Sequence, residues 1–211
     1  MKGIKFGNYH SYDDLHLILS KKEIGSPEIK KNEIDVPGAD GVLDNTDYFG
    51  DTKYSNRPLK FEFSVINQDN FLTHYSEVLD KLHGRKMVII LDEEPDFYYT
   101  GRLSVSPFTN EKGIGYISIE CDCEPYKKKI DETVVAKAVT TSTSIILANS
   151  RQRVVPLITT DAQFTIAFDG YSGTFNAGTF TIPELELNEG NNIINVTGTG
   201  NISFVYREGR L

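Results

Sequence analysis

Apolar and polar residues alternate with period two along most of this chain, and no other feature constrains its fold as much. In "PLKFEFSVI", Leu59, Phe61, Phe63 and Val65 would face one way while Lys60, Glu62 and Ser64 face the other. A strand places successive side chains on opposite faces, so this pattern predicts a half-buried strand. The same alternation runs through "LHLIL" (Leu15, Leu17, Leu19), "YISIECDC", "QFTIAFD" (Phe164, Ile166, Phe168) and "NISFVY" (Ile202, Phe204, Tyr206). The fold class expected is mainly β.

One segment departs from it. "NQDNFLTHYSEVLDKLHGRK" carries Phe71, Tyr75, Val78, Leu79 and Leu82 at steps of three and four, the spacing of an amphipathic helix. Asn67 or Asp69 would cap its first turn, and Gly84 would take the left-handed conformation that ends it. His83, Arg85 and Lys86 stand where cations favour the negative helix pole.

After Tyr126 the composition changes to "KKKIDETVVAKAVTTSTS", and the remainder of the chain reads as short strands separated by Gly, Asn and Asp. This predicts two domains, residues 1–130 and 131–211. The first combines two sheets with one helix, and the second is an all-β sandwich of about eight strands.

Several function classes are disfavoured. The longest apolar run, "MVIIL", is far short of the roughly 20 residues of a membrane span, and the first ten residues lack the apolar core of a secretory signal. The formal charge is -8 and the cations are scattered apart from Lys127, Lys128 and Lys129, so no stripe would track a nucleic acid backbone. Cys121 and Cys123 sit two apart on one expected strand and read as buried structural thiols. His10, His16, His74 and His83 have no metal-ligand spacing. The acidic "LDEEPDFYY" reads as a hairpin turn, and with no nucleophile elbow, P-loop or dinucleotide fingerprint, neither enzyme nor cofactor is expected.

The stretch "DVPGADGVLDNTDYFGD" holds five aspartates and three glycines between expected strands. Its order does not fit a calcium loop, which needs a glycine at the sixth position and a glutamate at the twelfth. Aspartate and glycine are also what turns select. Turn chemistry is the first reading, with an assembly contact and a metal site as alternatives.

Three segments in order carry a family resemblance: "YHSYDDLHLILSKKEIGSPE", "EIDVPGADGVLDNTDYFGDTKYSNRPLKFEFSV" and "LNEGNNIINVTGTGNISFVYREGRL". Together they resemble the distal tail protein (Dit) family of long, non-contractile-tailed phages that infect Gram-positive bacteria. The middle segment is the most specific, with Pro37, Gly38, Asp40, Gly41, Leu43 and Asp44 followed by Tyr54 and Arg57. The resemblance implies a β-sandwich-like N-terminal domain with one helix, forming a homo-hexameric ring, and a C-terminal galectin-like (jelly-roll) β-sandwich. It implies a structural hub, made in the host cytoplasm and resident at the virion tail tip. Its expected partners are the tail tube protein, the tail-associated lysin and receptor-binding or baseplate proteins.

On this reading Pro37, Gly38, Asp40, Gly41, Asp44 and Arg57 are the assembly residues. The rival is a carbohydrate-binding module for host cell-wall saccharides, in which Tyr171, at the strand-connecting tip "FDGYSG", would stack on a sugar ring. The chain has no tryptophan, so the fold analogy does not by itself bring sugar binding.

Overall fold

The computed structural model describes residues 2–48, 50–66, 70–111 and 113–211. The chain divides into two compact units, Met1–Lys127 and Lys128–Leu211. Among the described residues no helix is long and apolar enough to cross a membrane.

The first unit contains β1 (Ile4–Phe6), β2 (Tyr9–His10), β3 (Ile18–Ile24), β4 (Glu33–Asp35), β5 (Val42–Asp44), β6 (Arg57–Ile66), α1 (Phe71–Leu82), β7 (Lys86–Leu91), β8 (Phe97–Val105), β9 (Thr109–Glu111) and β10 (Ile114–Cys123). Its main sheet runs β2-β1-β7-β8-β10-β6-β3, with β9 paired to β10. β6 and β10 form the longest ladder, antiparallel from Arg57 opposite Cys123 to Ile66 opposite Ile114. The alternation works as the sequence predicts: Leu59, Phe61, Phe63 and Val65 are buried alongside Ile117, Ile119, Cys121 and Cys123. Phe6 sets its ring edge-on to Phe61 and Phe63, at 5.9 and 6.3 Å. Each such buried aromatic contributes roughly 1.5–3 kcal/mol through removal from water.

Helix α1 closes this core with Val78 and Leu82. The expected caps Asn67 and Asp69 lie outside the described residues. Asn70 holds the N-cap position, its side-chain oxygen accepting from the Thr73 amide at 3.2 Å. Gly84 follows the helix with φ +74°, as expected. His74 is buried with the apolar stripe of the helix. "LHLIL" also departs in part. Leu15 and Leu17 are buried, but they precede β3, in a turn where the Leu15 amide donates to the His10 carbonyl and the His16 amide to that of Tyr12. The alternation there marks burial, while backbone hydrogen bonding within the turn withholds those residues from the ladder.

Strand β11 (Lys127–Lys129) spans the division between units. The second unit is built from β12 (Thr133–Val139), β13 (Ser142–Asn149), β14 (Leu157–Thr160), β15 (Phe164–Phe168), β16 (Tyr171–Phe175), β17 (Gly178–Thr181), β18 (Gly190–Gly198), β19 (Gly200–Tyr206) and β20 (Gly209–Arg210). Two four-stranded antiparallel sheets, β12-β19-β14-β17 and β13-β18-β15-β16, share a core of Leu147, Ile158, Phe164, Ile166, Val196, Ile202 and Phe204. This is the expected sandwich.

Candidate assembly surface

Between β3 and β6 the chain leaves the main sheet and forms a separate two-stranded hairpin. β4 and β5 pair antiparallel, with Glu33 opposite Asp44, Ile34 opposite Leu43 and Asp35 opposite Val42. The ladder continues toward the base of this arm, where the Lys30 amide donates to the Lys53 carbonyl and the Ser55 amide to that of Glu28, both at 2.8 Å. All six residues of β4 and β5 are exposed.

Pro37, Gly38, Asp40 and Gly41 make the turn, and Asp44 ends the returning strand. Gly38 and Gly41 have φ of +84° and +78°, and a Cβ at either would meet nothing within 4 Å, so backbone conformation and not packing selects glycine there. The Asp44 carboxylate accepts from the Thr46 amide at 2.9 Å, and its pKa is held below the ordinary range by the bonds from Thr46. Asp47 accepts from the Thr52 hydroxyl at 2.7 Å. These two carboxylates shape the arm through the turn chemistry that the sequence suggested.

Because strand side chains alternate, the arm has two unlike faces. Ile34 and Leu43, a cross-strand pair, share one face, and Val36 follows two residues after Ile34. Ile34, Leu43 and Val36 are 45%, 53% and 42% exposed, and among the described residues they belong to neither core cluster. The other face carries Glu33, Asp35 and Asp44 with Val42. Sequence reasoning treated this stretch as aspartate and glycine and missed the apolar line, although "IDV" and "VLD" around a turn were the available signal.

Arg57 does not join the arm residues. It opens β6, is 5% exposed, and its guanidinium lies over the Tyr99 ring at 5.7 Å from the centroid. Its Nε has no hydrogen-bond partner among the described residues. Beside it, Cys121 and Cys123 point to the same side of β10 with their sulfurs 3.1 Å apart. The hydrogen bond to Cys121, together with burial, pushes the Cys123 thiol far above its ordinary range, so it stays protonated.

In the second unit, Asp169 and Gly170, with φ of +39° and +80°, form the two-residue turn joining β15 to β16. Tyr171 is half-buried, pairs across that turn with Phe168, and stacks on its ring at 5.0 Å. One face of the tyrosine is therefore occupied from within the fold. A cluster that sequence reasoning did not single out surrounds Glu208: its carboxylate accepts from Lys129, from the Thr133 hydroxyl at 2.9 Å and from the Ser150 hydroxyl at 2.5 Å.

These features define a class: a mainly β protein of two units, one bearing a single helix and a free β-arm, the other a sandwich. No protein-family model matches the chain, and no curated protein matches it. Among solved structures it is similar to the Dit protein (gp 19.1) of phage SPP1, described as a paradigm of the hub adsorption apparatus in phages infecting Gram-positive bacteria. The match covers 100% of both chains with a TM-score of 0.71 at 16% identity. The two chains share a fold.

Proposed function

We propose that this protein is a non-enzymatic structural component of a phage tail tip, a hub that closes into a hexameric ring. The observation that carries the reading is the arm: Ile34, Val36 and Leu43 form an apolar line on a hairpin that the chain's own core leaves uncovered. Exposed apolar surface that is contiguous and rimmed by charge favours association. An arm whose docking site lies elsewhere on an identical chain makes a heterologous contact, and such contacts form a ring when the rotation between copies closes. The full-length likeness in fold to a phage hub protein supports the same reading.

In this role the first unit forms the ring, and the galectin-like second unit presents its outer faces to receptor-binding or baseplate proteins. The tail tube and the tail-associated lysin occupy the two ends of the ring. The chain works at the virion tail tip after synthesis in the host cytoplasm. Negative-stain images of concentrated protein test this: six-fold ring particles are expected, and fields holding only single small particles would contradict it.

A further inference from the structure

We infer that Asp40 is a site of spontaneous isomerisation to isoaspartate, and that the other Asp-Gly bond of the chain, at Asp169, is protected by its turn. The sequence holds two Asp-Gly pairs, Asp40-Gly41 and Asp169-Gly170, and no Asn-Gly pair. In such a pair the amide nitrogen of the glycine attacks the side-chain carboxyl carbon of the aspartate in its protonated form. The new C–N bond closes a succinimide ring, and the carboxyl hydroxyl leaves as water with the amide proton. Water then reopens the ring. Attack at the side-chain carbonyl restores aspartate, whereas attack at the main-chain carbonyl leaves isoaspartate, with the chain routed through Cβ. No oxidant enters, and one water leaves and one returns.

The two pairs stand in unlike turns. Asp40 and Gly41 lie outside the ladder of the arm, in the loop of residues 36–41 that the pairing of Asp35 with Val42 closes. Both are exposed, and among the described residues neither the Asp40 carboxylate nor the Gly41 amide has a hydrogen-bond partner. A Cβ at Gly41 would meet nothing within 4 Å, so no neighbour obstructs ring closure. The Ala39 amide donates to the Val36 carbonyl at 3.1 Å, which holds the first half of the loop and not the Asp40-Gly41 bond. Asp169 and Gly170, by contrast, are the whole of a two-residue hairpin turn, left-handed at both positions with φ of +39° and +80°. Phe168 pairs with Tyr171 directly across it and Ala167 with Ser172, and the Phe168 and Tyr171 rings stack at 5.0 Å. Closing a succinimide at Asp169 rotates it out of that conformation and breaks the ladder and the stack. Isomerisation there waits on local opening, and at Asp40 it does not.

Isoaspartate at position 40 adds one backbone atom to the loop that joins β4 to β5. This chemistry belongs to the single chain, whatever its assembly state. To test it, the folded chain is incubated in heavy-oxygen water at neutral pH and in dilute solution, so that each ring opening leaves one heavy oxygen. Isoaspartate is counted with a protein isoaspartyl methyltransferase, and peptide mapping assigns both signals to a residue. Label at Asp40 is expected to accumulate about tenfold faster than at Asp169, or more. In denaturant the two sites should label alike, and Gly41→Ala, at an exposed loop position, should slow Asp40 and leave Asp169 unchanged. Equal rates at the two sites in the folded chain, or an unlabelled Asp40, would overturn the inference. So would a preference for Asp40 that persists undiminished in denaturant, because the fold would then not be its source.

Discussion

Single residues carry much of the stability of each unit, and their chemistry sets its pH dependence. Glu208 is 9% exposed. Burial raises its pKa, but the bonds from Lys129, Ser150 and Thr133 outweigh that and leave it below the ordinary 4.5. A carboxylate lowered on folding contributes stability present above the unfolded value and lost as pH falls through the folded one. Glu208→Gln should therefore cost about 1–3 kcal/mol at neutral pH and flatten the acid limb of a thermal-melt series below about pH 4.5. His74 acts in the same pH direction. Burial lowers its pKa from 6.5, the stacked His16 and Lys81 lower it further, and Glu77 and the Leu15 backbone oppose them. The unfolded chain binds the proton more readily, so stability should decline as pH falls below 6.5; His74→Leu should remove that slope in melts recorded between about pH 7 and pH 5. Neither role was legible from sequence. A lone histidine or glutamate carries no pattern, and its environment exists only once distant segments meet, as Lys129, Ser150 and Glu208 do.

Elements were more legible than residues, because period two and period 3.6 are properties of contiguous sequence. The strand around Phe61, the helix over residues 71–82 and the eight-strand sandwich all follow from periodicity and turn residues. Where periodicity reports burial without backbone pairing, as at Leu15 and Leu17, it places a strand too early. The arm was legible in part: its aspartates and glycines announced turns, and the two-stranded ladder between them did not register because three-residue strands leave too short a pattern. Its sidedness leads to a sharp expectation. Leu43→Asp, on the apolar face, should weaken self-association without lowering the melting temperature of the dilute protein, since Leu43 contacts no core. Val42→Asp, on the acidic face, should affect association far less. Equal effects in sedimentation velocity would show that the arm binds without regard to face. Tyr171 belongs to this scale as well: its ring packs on Phe168, so Tyr171→Ala should cost stability through lost packing, of about 1–3 kcal/mol.

At the scale of the molecule, two independently cored units and an exposed arm fit the protomer of the proposed ring. A heterologous interface that persists should bury at least about 1,000 Å². The measurement that tests this account most directly is absolute mass in solution, by light scattering behind a sizing column across a range of protein concentrations. The account predicts a species near six times 23.7 kDa whose share grows with concentration. A mass of 23.7 kDa at every concentration would contradict it.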